Sequence, residues 1–499
     1  MSDLLKKYTD FLDELDTYNQ AVNVFTWDLQ TAAPDMSIES KLKALSFFST
    51  KAFEMTTSDS YAKMLDELLE PSVFEALPDY IRYAVTENKL QYERFKNVPT
   101  DFYSEYVSAS ARSEKVWEKA KEENDFAMFA PHLEKMIAMK KKMLAYTDPG
   151  KDPYDALLDQ YEKGMTTKDI DPIFDEIKAG LKPLLAAIAA KPQPDINKVN
   201  GYYDVEKQRK VQDIILKYQG FDTKSGTTGE SAHPFTMSLN ESDTRVTNHY
   251  NTTEPINAMF SACHECGHAL FEQNVDPRYK KTAAGEVEMM GLHESQSRLY
   301  ENILGRNANY WIPIYDQIVE LLPDLKKITF DEFVSIINYV HPSMIRTDAD
   351  EVTYCLHIIL RYEMEKAIFI DNVSVGDLPA LWNDKMEELL GIRPANDAEG
   401  ILQDMHWSDG SFGYFPSYLL GSVYDGMILK VLNEQLGDID TILREGRIKE
   451  ITAWLKENIH RHGALYSSKE VLKRIGAGEV TAGPLLKYFN EKYTKIYNL

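Results

Sequence analysis

Apolar side chains recur every three or four residues through most of the chain, the spacing that places them on one face of an α-helix. The first such run covers residues 3–28 and is expected to end at Ala32-Ala33-Pro34. Further amphipathic stretches cover residues 40–56, 60–70, 79–96 and 101–146. Because prolines separate several of these stretches and none alternates with a period of two, the N-terminal half is predicted to be helical.

The helical pattern continues after Pro153, a residue suited to the first turn of a helix. Helices are predicted over residues 169–190 and 204–218, and helical spacing resumes from residue 254 onward. No internal repeat, low-complexity tract or linker interrupts residues 1–499, so a single large domain is expected.

One segment, residues 219–252, departs from this pattern because it is rich in Gly, Ser and Thr. Residues 235–239 and 244–250 have the composition of strands and flank Asn240-Glu241-Ser242-Asp243, which predicts a β-hairpin. An exposed strand can bind an extended peptide at the edge of its sheet. The alternative is a hairpin with a structural role only.

The charge of the chain limits its partners. It has 55 Lys and Arg residues against 79 Asp and Glu residues, a formal net charge of −24. Such a chain repels phosphate backbones and anionic membrane surfaces, so we expect neither nucleic acid nor membrane as a partner. No apolar run approaches the length of a membrane span.

The cysteines and the N-terminus bear on the compartment. The low, odd number of cysteines (Cys263, Cys266 and Cys355) argues against a disulfide framework and for a reducing environment. The N-terminal sequence, Met-Ser-Asp-Leu-Leu-Lys-Lys-Tyr, turns polar at once and has no apolar core of a signal peptide. A cytoplasmic protein is therefore expected.

Residues 261–272 contain the sequence His-Glu-x-x-His, in which His264 and His268 are four residues apart and Glu265 follows the first. On a helix this spacing places both imidazoles on one face, where they can share a metal ion. A catalytic zinc keeps one position for water, and Glu265 is placed to act as general base toward it. The alternative is a chance match within an ordinary helix.

Two histidines leave the coordination of a metal incomplete, so a third ligand is expected in the sequence that follows. A glycine three residues after His268 and a histidine three further on would complete a three-histidine site, but Phe271 and Asn274 occupy those positions. The acidic candidates are Glu272, Glu286, Glu288 and Glu294. Glu294 is selected because it lies on a second predicted helix, and the intervening stretch is long enough to return antiparallel. A serine, an arginine and another histidine lie near it in the sequence and can form hydrogen bonds that orient a ligand.

Cys263 and Cys266 allow a competing interpretation, since their C-x-x-C spacing occurs in redox pairs and structural zinc sites. On a helix, however, they lie on a different face from the histidine pair, and no second cysteine pair exists to complete four ligands. We therefore predict that both are small buried side chains behind the site.

Two clusters lie further along the chain. Residues 341–351 place Arg346 among acidic residues, which is typical of a surface ion-pair network but also of an anion-binding site. Residues 400–418 contain His406-Trp407 followed by a loop rich in Gly and aromatic residues, the composition of a site wall rather than a packed helix.

The order of these motifs resembles that of the Taq-type metallocarboxypeptidases, also called the thermostable carboxypeptidase family. The matching segments are His233-Pro234-Phe235, Asp243 to Thr247, His264 to His268, His293 to Gln296, Ile345 to Asp350 and Gly400 to Trp407. The stretch from Tyr154 to Asp159 also resembles the family, although Lys163 replaces the usual proline. The resemblance covers essentially the whole chain.

The resemblance implies a mainly α, gluzincin-type fold with a deep substrate groove between two subdomain halves and a small antiparallel β element near the active site. It implies a homodimer and one zinc ion per subunit, bound by His264, His268 and Glu294, with cobalt or manganese as possible substitutes. Glu265 is then the catalytic base.

The expected reaction is release of C-terminal amino acids, with broad specificity, from peptides that have a free C-terminus. Arg346 is expected to bind the substrate carboxylate, and His406 or a tyrosine of the following loop, Tyr414 or Tyr418, to stabilise the oxyanion. His406 and Tyr418 are accordingly assigned catalytic roles, and Arg346, His233 and Tyr414 substrate-binding ones. The alternatives are a zinc oligopeptidase that cuts internal bonds and an inactive peptide-binding scaffold.

Overall fold

The computed structural model describes residues 2–286 and 289–499, and these are mainly helical, as predicted. The N-terminal helices are α1 (Ser2–Thr31), α2 (Ile38–Thr56), α3 (Asp59–Leu69), α4 (Pro71–Phe74), α5 (Asp79–Phe95), α6 (Thr100–Glu123) and α7 (Phe126–Thr147). Three more precede the sheet: α8 (Pro153–Leu158), α9 (Thr167–Ala189) and α10 (Val205–Gln219).

The helices after the sheet are α11 (Ile256–Asn274), α12 (Met290–Arg298), α13 (Ala308–Trp311), α14 (Tyr315–Leu321), α15 (Phe330–Ile337), α16 (Thr353–Phe369), α17 (Leu378–Leu390), α18 (His406–Asp409), α19 (Phe415–Leu436), α20 (Ile439–Arg444), α21 (Ile448–Asn458), α22 (Ser468–Arg474) and α23 (Gly483–Tyr497). A π-helical segment, Leu299–Leu304, continues α12. Short 3-10 turns lie at Asp35–Ser37, Ile196–Val199, Pro323–Lys327, Arg346–Asp348, Val375–Asp377 and His460–His462.

The amphipathic stretch 101–146 forms two helices rather than one. Asn124 adopts a left-handed conformation (φ 54°) and ends α6. Asp125 then caps α7, its carboxylate accepting a hydrogen bond from the backbone nitrogen of Met128 at 3.2 Å. Asn tolerates the left-handed region and Asp is a strong N-cap, so this pair breaks the helix although the apolar spacing continues across it.

The predicted hairpin is present, in a sheet of three strands: β1 (Gly226–Glu230), β2 (Thr236–Asn240) and β3 (Asp243–Asn248), in the order β1-β3-β2. β2 and β3 pair antiparallel, as expected, whereas β1 pairs with β3 in parallel and was not predicted. The sheet is therefore mixed. At the outer edge of β2, the carbonyl of Ser238 accepts a hydrogen bond from Asn23 of α1 at 3.3 Å, so α1 shields part of this edge.

Three groups of buried apolar side chains hold the described residues together. The largest includes side chains of α9 to α12, α16 and α19, and surrounds α11. A second joins α1, α3 and α5 around Tyr8 and Leu65, and a third joins α6 and α7 around Phe102 and Met136. Helix α2 buries no side chain. No helix within the described residues is long and apolar enough to cross a membrane.

Candidate metal centre and substrate site

The two histidines of His-Glu-x-x-His project from one face of α11, with ring centroids 5.0 Å apart. Glu294 of α12 faces both: its Oε2 atom lies 3.7 Å from Nε2 of His264 and 3.4 Å from Nε2 of His268. The ligand atoms of the three side chains all lie within 4.8 Å of one another. The structure therefore brings together the three residues that the sequence predicts as metal ligands.

Two glycines let the surrounding helices approach closely. A Cβ atom at Gly267 of α11 would lie 2.6 Å from the Cα atom of Ser297 in α12. A Cβ atom at Gly421 of α19 would lie 3.0 Å from the backbone nitrogen of Ser295 and 3.1 Å from Cγ of Glu294. Helix α12 is thus packed tightly between α11 and α19, which fixes the backbone of Glu294 opposite the histidine pair.

The geometry of the three side chains fits a zinc ion. Zinc–nitrogen and zinc–oxygen bonds of about 2.0–2.1 Å place tetrahedral ligand atoms about 3.3 Å apart. The separations of 3.7 and 3.4 Å between Glu294 and the two imidazoles are close to that value. Magnesium and calcium prefer oxygen ligands, whereas two imidazoles and a carboxylate form a ligand set of catalytic zinc.

The electrostatics of the site also favour a cation. Burial lowers the pKa of His264, but Glu294 and Glu301 outweigh it and raise the pKa to about 9. Burial raises the pKa of Glu294, but His264 and His268 outweigh it and lower the pKa to about 2. The carboxylate of Glu294 therefore stays ionised, which is the form that binds a metal ion.

Glu301, in the π-helical segment after α12, is a partner of the site that the sequence analysis missed. Its Oε2 atom lies 2.8 Å from Nδ1 of His264, so the imidazole can present Nε2 to a metal while Nδ1–H donates to the carboxylate. Glu301 follows Glu294 by seven residues, two helical turns on the same face. That spacing is the signal that could have revealed it.

Glu265 is buried beside the two histidines, with 6% of its surface exposed. The hydroxyl of Thr236, at the start of β2, lies 2.7 Å from its Oε2 atom and donates to it. Burial raises the pKa of Glu265, while His264 and Thr236 act in the opposite direction. The hairpin thus contacts the candidate base directly, through a residue that the sequence analysis did not single out.

Glu272 and Glu286, the other acidic candidates within the described residues, lie outside this group. Oε1 of Glu272 lies 2.9 Å from Nε2 of His293 rather than beside the ligand atoms. Glu286 lies in the connection between α11 and α12. Glu288 lies outside the described residues.

Both cysteines of α11 are fully buried and free, which confirms that they pack behind the site. The Sγ atom of Cys263 lies 3.4 Å from the hydroxyl of Tyr310. Burial raises the pKa of the Cys263 thiol to about 12, so this thiol is neutral and unsuited to bind a metal as thiolate.

Arg346 belongs to a buried ion-pair network instead of a surface one. Its Nε and Nη2 atoms lie 2.9 and 2.8 Å from Oδ1 of Asp404, and Nη1 donates to the hydroxyl of Tyr354 at 3.1 Å. Arg361 donates to Oδ2 of the same aspartate at 2.6 Å. The structure thereby joins the cluster around Arg346 to the one that precedes His406.

His406 lies in this same region, with its Nε2 atom 3.2 Å from the hydroxyl of Tyr418. The guanidinium carbon of Arg346 is 5.2 Å from the ring centroid of Tyr418. Tyr414 packs against Tyr418 with ring centroids 4.9 Å apart. Burial lowers the pKa of His406 to about 4, so its imidazole is neutral at physiological pH. Four predicted site residues therefore form one cluster.

The structure connects this cluster to the metal ligands through α19. Tyr418 lies in the first turn of α19, one turn before Gly421, which packs against Glu294. His233 stands apart from both groups. It lies in the turn between β1 and β2 with an exposed side chain, and its backbone carbonyl accepts a hydrogen bond from Ser231 at 2.6 Å. A substrate contact of His233 stays a prediction.

Comparison with known proteins agrees with the motif pattern. The family described as Carboxypeptidase Taq (M32) metallopeptidase matches residues 7–493. The chain belongs to this family. The M32 assignment confirms the resemblance drawn from the sequence and identifies the protein as a metallocarboxypeptidase, a peptidase that acts on C-terminal residues.

Individual relatives of this M32 carboxypeptidase match over nearly their full length. Carboxypeptidase 1 of Bacillus subtilis is 40% identical over 496 residues, with 99% of each chain covered. Thermostable carboxypeptidase 1 of Pyrococcus furiosus is 34% identical over 483 residues, with 95% of each covered. The crystal structure of an M32 carboxypeptidase from Deinococcus radiodurans R1 is 30% identical and superposes with a TM-score of 0.96 over 100% of both chains.

Proposed function

We propose that this metallocarboxypeptidase uses zinc to release single C-terminal amino acids from peptides of varied sequence. The observation that carries the proposal is the convergence of His264, His268 and Glu294 beside Glu265. Zinc held by these three ligands would supply a Lewis acid and lower the pKa of water toward ~7. Cobalt and manganese are proposed as substitutes, because imidazole and carboxylate ligands also accept other divalent first-row metals.

Glu265 is proposed as the proton carrier of the reaction. Its carboxylate takes a proton from water as the water oxygen bonds to the carbonyl carbon of the last peptide bond. The same group then gives the proton to the nitrogen of the leaving amino acid as the C–N bond breaks. The 2.7 Å contact with Thr236 supports this role, because it holds one carboxylate oxygen and leaves the other free.

Tyr418 and His406 are proposed to stabilise the negative charge that develops on the carbonyl oxygen. Preorganised donors aimed at such an oxyanion supply a large part of the catalysis in acyl transfer. The 3.2 Å contact between Nε2 of His406 and the Tyr418 hydroxyl supports the pairing. Because the imidazole of His406 is neutral, it can hold the phenol in place without adding a charge that would interact with the substrate.

Arg346 is proposed to bind the free carboxylate of the substrate. Its guanidinium is already oriented by Asp404 and Tyr354, and it keeps further N–H groups for a second anion. A planar guanidinium is suited to paired hydrogen bonds with a carboxylate. His233 and Tyr414 are proposed as flanking substrate contacts, Tyr414 from the aromatic cluster and His233 from the exposed turn.

We further propose that the chain is a single catalytic domain, with two halves that flank a deep groove, and that it is a cytoplasmic homodimer. The separate small core that joins α1, α3 and α5 supports two halves. The three buried, free cysteines support a reducing compartment. Light scattering on the purified protein tests the dimer, with an expected mass twice the 57.2 kDa of one chain.

The function is tested with paired peptides that differ only in a free or amidated C-terminus. Release of amino acids is expected only from the peptide with a free C-terminus. A chelator is expected to stop this release, and added zinc is expected to restore it. Internal fragments from the amidated peptide would instead indicate an oligopeptidase. Release that survives removal of all metal would overturn the proposal.

A further inference from the structure

His268 has an unusual partner. Its Nδ1 atom lies 2.6 Å from Nδ1 of His293, the residue directly before Glu294, and the two imidazole rings are 4.5 Å apart at their centroids. Nε2 of His293 lies 2.9 Å from Oε1 of Glu272. Ser238 of β2 donates to the other oxygen of Glu272 at 3.3 Å. The line of contacts therefore runs from His268 through a second imidazole to a carboxylate.

The hydrogen-bond partners allow one arrangement of protons that leaves His268 able to bind a metal. To present the lone pair of Nε2, a neutral His268 must carry its proton on Nδ1. That proton requires an acceptor, so Nδ1 of His293 is unprotonated. His293 then carries its own proton on Nε2 and donates it to Glu272. Each of the three contacts has one donor and one acceptor in this arrangement.

Packing fixes the plane of the intermediate ring. His293 lies between His268 and Phe271, whose ring is 5.4 Å away and tilted by 24°. Phe271 in turn stacks on the buried ring of His460 at 5.0 Å. Because these rings are nearly parallel, His293 cannot rotate away from His268 without disturbing the core behind it.

The two histidine ligands are thus oriented differently. His264 donates directly to the carboxylate of Glu301. On its Nδ1 side, His268 reaches a carboxylate through His293. Since His293 and Glu294 are neighbours on α12, the same turn of helix supplies one metal ligand and orients another.

We propose that His293 and Glu272 are positioning residues that hold His268 in its Nδ1–H form and thereby set the metal affinity of the site. The proposal rests on the metal centre of the proposed function. Outer partners of metal-bound histidines commonly change metal affinity by 10–100-fold when they are removed. His293 and Glu272 act through His268 and touch no substrate in this scheme.

The test measures the zinc dissociation constant by competition with a chromophoric chelator. His293→Phe keeps the stacked ring but removes both hydrogen bonds, and about a 10–100-fold weaker affinity is expected. Glu272→Gln keeps an acceptor but removes the charge, and a smaller loss is expected. His460→Phe is the matched control, because it alters the far end of the same stack and is expected to bind zinc like the wild type.

A second readout separates positioning from general destabilisation. In the cobalt-substituted protein, the visible absorption spectrum is expected to change in His293→Phe and Glu272→Gln but not in His460→Phe. Unchanged zinc affinity and cobalt spectrum in both variants would overturn the proposal, and Glu272→Gln decides alone if His293→Phe does not fold. Failure of the wild type to bind zinc would instead refute the proposed metal centre.

Discussion

A Cβ atom placed on Gly267 of α11 would overlap the backbone carbonyl oxygen of Gln296 in α12. The two helices that carry the predicted metal ligands are therefore packed backbone to backbone. Since His264 and His268 come from one helix and Glu294 from the other, this contact sets the distance between the ligands.

Gly267→Ala is expected to destabilise the protein and to weaken zinc binding together. The added methyl group meets backbone atoms that cannot rotate away, and overpacking of this kind costs about 1–3 kcal/mol. Urea unfolding measures the change in stability, and competition with a chelator measures the change in zinc affinity. Gly376→Ala is the control, because its nearest neighbour, Oγ of Ser374, lies 3.8 Å away. Wild-type stability and affinity in Gly267→Ala would contradict the assigned role of this contact.

Glu265→Gln is expected to bind added zinc like the wild type and to lose turnover. The amide preserves the shape of the side chain but cannot accept a proton, and loss of general base catalysis lowers kcat by about 10²–10⁴-fold. Metal analysis and steady-state kinetics on the same preparation check both parts. Glu254→Gln, a change at the start of the same helix where the carboxylate accepts from the backbone nitrogen of Ile256 at 2.9 Å, is the control. Normal turnover in Glu265→Gln would show that Glu265 is not the general base.

Tyr418→Phe is expected to lower kcat by about 10²–10³-fold with little change in KM, because an oxyanion donor acts mainly in the transition state. Tyr414→Phe, measured in parallel, is expected to have a smaller decrease in kcat, since Tyr418 is the tyrosine whose hydroxyl contacts His406. Tyr218→Phe on α10 controls for loss of a phenol elsewhere. A larger loss in Tyr414→Phe would transfer the role to that residue.

Glu365 gives the protein a predicted dependence of stability on pH. This buried carboxyl accepts hydrogen bonds from Nε1 of Trp407 at 2.9 Å, from the hydroxyl of Tyr154 at 2.9 Å and from the backbone nitrogen of Gly413 at 3.0 Å. It therefore anchors the loop that carries His406. Burial raises its pKa to about 7, although these three donors oppose the shift.

Because the folded pKa exceeds the unfolded one, Glu365 contributes most to stability below about pH 4.5, and this contribution is lost as the pH rises through 7. Glu365→Gln removes the titration. The stability of the wild type relative to Glu365→Gln is expected to fall by roughly 3 kcal/mol between pH 4.5 and pH 8, from the size of the shift. Urea unfolding of both proteins across this range measures the difference, with Glu388→Gln on α17 as control. A difference that stays constant with pH would exclude the titration.

The features that sequence reasoning predicted depend on local spacing. His264 and His268 share a face because they are four residues apart on a helix, and Glu294 stands on the next helical stretch that can return to them. Helix α1 ends just before Ala32-Ala33-Pro34 for a similarly local reason.

The features that were missed depend on contacts between distant segments. Strand β1 has the sequence Gly-Thr-Thr-Gly-Glu, which contains no apolar residue and is extended only because it pairs with β3. Asp404 binds Arg346 although the two residues are 58 positions apart in the sequence, and no periodic pattern of side chains predicts that contact. His268 and His293 are separated by 25 positions in the sequence, and no local pattern indicates their contact either.

Helix α2 illustrates how unevenly the free energy of folding is distributed over the molecule. It buries no side chain and is held by partly exposed rings, such as Phe48 against Phe25 of α1 at 6.0 Å and Phe53 against Tyr103 of α6 at 4.9 Å. Its backbone can therefore open at a small part of the cost of global unfolding, whereas α11 opens only with the core. Amide hydrogens of α2 are accordingly expected to exchange with solvent much faster than those of the helix that carries His264 and His268.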